Sequence, residues 1–561
     1  MLTELRNGRI VDPLHPLHGQ TASLYIRDGR FVDAPGSTSR KRPGVADQVV
    51  PNHVIELDNA LVLAGGIDIH THIGGGKVNL ARMLMAEQSL AERSVWPTPH
   101  TGMLYNQMGY TSCFEPAMVL STARHTHLEL ADTPYLDSGA YVVLGNEDWL
   151  LESLGRGLEN SVLDAWIAWA VNASQALAVK VVNPGGISAF KFNQRTLDVD
   201  EPHVAYGVTP RQVIARLTAA VDRLQLPHPL HLHASNLGMP GNVQAALAIL
   251  DAAEGRRLHL THAQFNSYSS DGPMGMGSGA QQLADYVNAH DNISLDVGQV
   301  VFGQTVTISA DAQAQYRNRR YAQPKQWLVS DTECQAGCGV VPIKYQDRQY
   351  VHSLQWTIGL ELMLLVEDPW RVFLTTDHPN GGPFTSYPHL IRLLMDRTFR
   401  QSVLETIHPL AAERSLLNDI EREYTLDEIA LVTRAAPARI LGLADRGTLT
   451  TGALADVAVY RRKADWEQTF TTADHVLKRG VSLVEQGQCT GATVLCETLT
   501  ARPEFELGAL RSLRSQVEQT LRHPLQALEI GDAELGDLIR RPQGYAGPCP
   551  TSTLWGGGHA D

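Results

Sequence analysis

An α/β fold built on a (β/α)8, TIM-type barrel is predicted for this 561-residue chain from three observations. Five short apolar, β-prone runs each carry a histidine, lysine or aspartate at or near their C-terminal ends. Hairpin-type turns cluster near the N-terminus, and further strand-like runs follow residue 452. The length suits a barrel plus a smaller domain, and 43% hydrophobic residues suffice for a sizeable core.

Taken in order, Arg6-Asn7-Gly8-Arg9 and Arg27-Asp28-Gly29-Arg30 lie between β-prone runs and read as two hairpin turns. They predict a small β domain over 1–60, with the polar stretch 34–44 as a loop. The barrel is expected over 61–445, beginning with the run Leu61-Val62-Leu63-Ala64. That exceeds the ~250 residues usual for the fold, so insertions are read at 74–108 and 266–345, suited to a lid or a subunit contact. Residues 446–500 contain the strand-like runs 452–460 and 475–480, which return to the β domain. The last part, 501–561, is read as a helical segment over 507–540 and a Gly/Pro-rich extended tail. The tail either wraps a partner or is loose.

The net charge of −14 argues against nucleic acid and anionic membranes as partners. No apolar stretch approaches the ~18 to 20 residues of a membrane span. The start, Met1-Leu2-Thr3-Glu4-Leu5-Arg6, lacks the apolar core of a signal peptide, so a cytoplasmic location is expected. Six scattered cysteines agree, and Cys334 and Cys338 read as a pair of loop thiols.

The chemistry gathers in the five runs. Asp68-Ile69-His70-Thr71-His72 places two imidazoles on one face of an extended segment, ~6.6 to 7 Å apart, close enough to converge on one ion. Lys180 stands inside Ala178-Val179-Lys180-Val181-Val182, a strand that reads as buried on both faces, where an unpaired ammonium is costly. With eight lysines against thirty-eight arginines, a lysine there calls for a chemical reason. His233 and His262 end Leu230-His231-Leu232-His233 and Leu258-His259-Leu260-Thr261-His262. Asp377 ends Val372-Phe373-Leu374-Thr375-Thr376-Asp377, before the loop His378-Pro379-Asn380-Gly381-Gly382. His231 shares a face with His233, so either could be the ligand. Singly, each residue has an ordinary explanation as a satisfied core histidine, a snorkelling lysine or a capping aspartate. Together they occupy strand C-termini, where barrel active sites form.

This order resembles the metal-dependent amidohydrolase superfamily. The likeness implies two divalent ions, zinc by preference, and a lysine carboxylated on its Nζ by CO2, which turns the Lys180 cation into an anionic bridging ligand. It also implies a β-sandwich built from both chain ends. Longer words narrow the match: Gly66-Ile67-Asp68-Ile69-His70-Thr71-His72-Ile73 leading to Lys77-Val78-Asn79, Lys180-Val181-Val182-Asn183-Pro184-Gly185-Gly186, His233-Ala234-Ser235-Asn236-Leu237-Gly238, and Thr375-Thr376-Asp377-His378-Pro379-Asn380-Gly381-Gly382-Pro383-Phe384. They are similar to the A subunits of formylmethanofuran dehydrogenases and of bacterial formyltransferase/hydrolase complexes.

That resemblance implies His70 and His72 on one ion, His233 and His262 on the other, and Lys180 between them. Asp377 is then both a ligand and the acid/base, with His378, Asn236 and Asn183 beside the substrate. His233 is chosen over His231 because the following Ala-Ser-Asn resembles the His-Ala-Glu-Asn of hydantoinases. The implied reaction interconverts formyl-methanofuran or formyl-methylofuran with formate and the free amine. The implied partners are further subunits of the same complex, including a formyltransferase subunit. The arginine excess suggests a GC-rich bacterial genome and hence the hydrolytic direction. The alternatives are a dihydropyrimidinase- or hydantoinase-like cyclic amidase and a non-catalytic scaffold subunit.

Overall fold

The computed structural model describes residues 1–35, 50–86, 94–309, 328–331, 337–521, 524–535 and 539–542. Most of the expected loop at 34–44, Cys334 and all but the first residue of the expected tail lie outside them.

Eight parallel strands form the barrel wall: β1 (Gly66–Asp68), β2 (Tyr110–Met118), β3 (Asp137–Leu144), β4 (Ala178–Val182), β5 (Leu230–His233), β6 (Leu258–Leu260), β7 (Ile293–Asp296) and β8 (Val372–Phe373). All five positions of β4 are buried, as a parallel strand covered on both faces requires. At least one helix follows each strand, among them Thr98–Gln107, Ala123–Ala131, Asn160–Ser174, Pro210–Arg223, Val243–Asp251, Ala280–Ala289, Tyr350–Leu365 and Tyr387–Met395. Pro210–Arg223 shows how local chemistry starts one. The Thr209 hydroxyl accepts from Gln212 N at 3.2 Å, Gln212 Oε1 accepts from Thr209 N at 2.9 Å, and Pro210 takes the first turn.

The ring closes in an unusual place. Among the described residues no strand ladder joins β1 to β8; they meet beyond their ends, through a bridge between Thr71 and His378 and a 2.7 Å bond from His72 N to His378 O.

Both chain ends build the second, largely antiparallel domain, a nine-stranded sheet around its own core of Leu5, Ile10, Leu24, Ile26, Val62 and Val457. Three details depart from expectation. Leu61–Ala64 belongs to this sheet, paired with Val457–Tyr460, and not to the barrel. The chain is already apolar on both faces there, so a wall strand and an end-domain strand look alike. Asn7-Gly8 is not a hairpin turn but a bulge inside the single strand Leu2–Ile10, with Asn7 at φ 57°. A left-handed residue serves a turn or a bulge equally, and Arg9 and Ile10 continue the strand by pairing with Leu61 and Val62. Asp28-Gly29 does turn a hairpin, between Thr21–Arg27 and Arg30–Val32. Finally, 266–345 is not wholly an insertion, because it contains Ala280–Ala289 and β7. Among the described residues, the rest of it includes a two-stranded sheet of Tyr268–Ser269 and Gly277–Ser278 and a three-stranded antiparallel sheet of Gly303–Ser309, Leu328–Asp331 and Gly337–Tyr345. Likewise, among its described residues, 74–108 holds two helices, Gly76–Leu84 and Thr98–Gln107.

A buried ionic knot ties the two domains. Asp137, at the start of β3, lies 3.0 Å from Lys478 Nζ and 2.9 Å from Arg446, and it accepts from Glu497 N at 2.6 Å. Burial raises its carboxyl, but the charges of Lys478, Arg446 and Arg479 outweigh that and hold it well below the ordinary range. A depressed carboxyl stabilises the fold at pH values above its unfolded pKa and loses that contribution as pH falls through the folded one. Removing one member leaves buried cations uncompensated, so Asp137→Ala is expected to cost about 3 to 5 kcal/mol. Chemical denaturation at pH 7 checks this, and a loss below about 1 kcal/mol would mean the knot relaxes around water.

Candidate metal centre

The barrel's C-terminal end gathers the candidates. His70 and His72 follow β1, and both point Nε2 at one oxygen, Asp377 Oδ1, at 2.9 and 3.3 Å. His70, His72 and Asp377 thus form a buried trio with metal-ligand spacing. His262 Nε2 lies 3.0 Å from His233 Nδ1, and the His262 and His70 rings are 5.7 Å apart. Lys180 is buried in the same space, its charge acting on His70, His231, His233 and His262.

The backbone is strained here. His262 and Asp377 have left-handed φ values of 37° and 49°, as do Asn183 and Asn236 at 44° and 60°. Gly298, just past β7, makes room: a Cβ there would meet the His262 Cβ at 2.5 Å.

Two carboxylates that sequence reasoning missed aim the first pair of imidazoles. Asp296 Oδ2 is 3.2 Å from His70 Nδ1, and Glu115 Oε1 is 2.8 Å from His72 Nδ1. Such a carboxylate fixes the ring and the tautomer that presents the other nitrogen to a metal. Asp296 also accepts from His262 N at 3.0 Å and Thr375 Oγ1 at 2.8 Å, so one residue braces three candidates' strands. The signal was available, because Glu115 and Asp296 are charges inside apolar strands just as Lys180 is. Beneath them, Asp68 accepts from His70 N at 3.0 Å, Tyr105 OH at 2.8 Å and Tyr387 OH at 2.5 Å.

His231 occupies a deeper layer. Its Nε2 is 3.1 Å from His70 Nδ1 and its Nδ1 is 3.0 Å from His228 Nε2, so both nitrogens are engaged. His233 Nε2, in contrast, has no hydrogen-bond partner; neither has His262 Nδ1. Two orphaned ring nitrogens, both buried, fit a bound cation, since an unpaired buried polar atom is otherwise costly. Among the described residues, a second trio of His70, His231 and Asp296 also has ligand spacing, but it is a hydrogen-bonded support for His70; His233 and His262 belong to neither trio.

Electrostatics separate His70 from His233 and His262. Burial lowers His70, yet Asp296 and Asp377 outweigh it and raise it to about 9. Burial raises Asp377, but the charge of His70 and bonds from His70 and His72 hold it well below the carboxylate range. Burial, reinforced by neighbouring positive charge, keeps His233 well below its ordinary value, and His262 falls to about 3. Both are therefore neutral, the form that binds metal. Burial pulls Lys180 down to about 8 against Asp377 and Asp296.

The remaining candidates are placed differently. His378 is buried, stacks on Trp96 and accepts from Phe384 N at 3.3 Å; burial pushes it down to about 3. Asn236 donates to Asp198 at 2.8 Å. Asn183 turns the chain after β4, its carbonyl accepting from Gly186 N at 2.8 Å.

The amidohydrolase family model matches residues 53–488, and that range holds every residue of this centre. The chain belongs to the amidohydrolase family. It is a hydrolytic enzyme by class, and the family uses divalent metal ions. This amidohydrolase is 42% identical over 547 residues to the A subunit of the formyltransferase/hydrolase complex Fhc of Methylorubrum extorquens, covering 95% of this chain and 97% of that one. It is 35% identical over 514 residues to the protein FwdA of Methanocaldococcus jannaschii, covering 86% and 88%. A chain in the crystal structure of the Methylorubrum extorquens formyltransferase/hydrolase complex with methylofuran superposes with a TM-score of 0.89 at 41% identity, covering 97% of this chain and all of that one. The expected barrel fold and the resemblance to these A subunits are thereby borne out. No described helix of the amidohydrolase is long and apolar enough to cross a membrane.

Proposed function

We propose that the chain hydrolyses the N-formyl bond of a formyl-methylofuran or formyl-methanofuran carrier, releasing formate and the free amine, as one subunit of a complex that includes a formyltransferase subunit. The observation that carries this reading is the likeness, along nearly the whole chain, to its counterpart in the Methylorubrum extorquens complex, whose crystal structure contains methylofuran.

His70, His72 and Asp377 would hold one divalent ion, and His233 and His262 the other, with zinc the ion expected. His233 and His262 have no third His, Cys, Asp or Glu at ligand spacing among the described residues, and a carboxylated Lys180 would supply the missing oxygens. With its ammonium lowered to about 8, Lys180 offers appreciable free amine near neutral pH to add to CO2, releasing one proton. Bound there, such ions supply a water of lowered pKa and polarise a carbonyl.

The residues do the rest. Asp377, ionised and buried, accepts a proton from the water as its oxygen bonds to the formyl carbon. It then delivers that proton to the amine nitrogen as the C–N bond breaks, because an amine is too basic to leave unprotonated. Asp296 and Glu115 keep the imidazoles aimed throughout. Beside the carrier, Asn183, Asn236 and His378 are proposed to line the approach, His378 by shape and not by proton transfer.

The test is turnover of formyl-methylofuran by the purified native complex. Formate release that depends on the carrier, with no hydrolysis of hydantoin or dihydrouracil, is expected. Equal turnover of the cyclic amides would favour a cyclic amidase, and no turnover of either class would favour a scaffold.

A further inference from the structure

We infer that Asn380 is a positioning residue that sets the orientation of Asp377 and ties it to the three-stranded sheet Gly303–Tyr345. This rests on the proposed role of Asp377 and deepens it.

Asn380 Nδ2 donates to Asp377 Oδ1 at 2.9 Å, the same oxygen that faces His70 and His72. Its Oδ1 accepts from Ile308 N at 2.5 Å, a backbone donor in the sheet strand Gly303–Ser309. The side chain is buried, and each amide end has one matched partner, so its direction is fixed: the end facing an N–H is the oxygen and the end facing the carboxylate is the nitrogen. The sheet grips the same turn twice more. Thr305 Oγ1 donates to Pro379 O, and Tyr345 OH donates to Asn380 O at 3.1 Å. Ile308 itself packs with Val78 and Ala81 of the helix Gly76–Leu84, which follows the His70/His72 strand.

Asp377 holds a left-handed backbone, a conformation that persists only when its surroundings over-determine it. Asn380 N donating to Asp377 O at 2.6 Å and the side-chain amide together supply that constraint. Only asparagine satisfies both partners at this length. Aspartate would set a second carboxylate against Asp377, and alanine would orphan Ile308 N.

A double-mutant cycle on the full chain with its co-purifying subunits tests the assignment, using formyl-methylofuran as substrate. Asn380→Ala is expected to lower kcat about 10- to 100-fold with KM changed less than about threefold, the range for residues that orient a ligand. In an Asp377→Asn background the same change should cost less than about threefold, because a residue acting only through another loses its effect when that partner is gone. A merely structural asparagine would cost the same factor in both backgrounds, which would overturn the inference, as would a normal Asn380→Ala. If the alanine variant does not fold, Asn380→Asp carries the test, since it keeps the acceptor for Ile308 N and replaces the donor to Asp377 with a second carboxylate oxygen. A crippled Asp377→Asn beside a normal Asn380 variant would overturn the positioning role alone. A near-normal Asp377→Asn would overturn both readings.

Discussion

Asp377→Asn is expected to lower the rate of formyl-amine hydrolysis by about two to four orders of magnitude, the range typical of losing a general acid/base. The substitution keeps volume and shape. An amide at position 377 can still face Asn380, so the turn after β8 has no reason to unfold. It cannot take up a proton, and the carboxyl that His70 and His72 hold below its ordinary range disappears. Because Asp377 Oδ1 sits within reach of both His70 and His72, some weakening of ion binding is expected too. Rates should therefore be compared at equal metal content, measured on the same samples. Near-normal turnover by a fully loaded variant would send the proton elsewhere. His378 is poorly suited to receive it, since its Nδ1 already accepts from Phe384 N and burial keeps the ring neutral.

The second large effect is on the ions themselves. His70→Ala or His262→Ala should abolish both metal retention and activity, well beyond the roughly 10- to 100-fold cost of removing a residue that merely braces a ligand. His70 holds a central place: its Nε2 faces Asp377, while Asp296, Thr261 and His231 crowd its Nδ1. Lys180→Ala belongs with them, and a small carboxylic acid added in solution should restore part of its activity by replacing the lost bridging oxygens. Metal analysis of the purified variants decides the matter. Full metal content with full hydrolysis in either histidine variant would mean the ligands were misassigned.

Much of this centre was legible because its parts are local words. His-x-His, a lysine in a valine-rich strand and a polar residue at each strand end need no knowledge of distant contacts. The choice of His233 over His231 was not decidable from pattern, since both side chains share a face. Depth supports His233, because His231 is consumed by His228 and His70 while His233 Nε2 is left unpaired. Glu115 and Asp296 were overlooked although each is a charge in an apolar strand, the same signal that marks Lys180. Leu61–Ala64 and Asn7-Gly8 failed for a different reason: the deciding partners lie far along the chain, Val457–Tyr460 for the first, and Leu61 and Val62 for Arg9 and Ile10, which carry the strand on past the second. Which sheet a short apolar run joins is a tertiary outcome.

The junction of β1 and β8 through Thr71 and His378 would give a bound ion a second role. His70 and His72 hang from the first stave of the barrel and Asp377 from the last, so a cation gripped by all three would act as a clasp across the seam that, among the described residues, no strand ladder closes. Whatever energy the ion contributes by binding only the closed ring would count as folding stability. Stripping the metal would then loosen the hoop at the place where the catalytic groups sit, and inactivation by chelators would be a mechanical event as well as a chemical one.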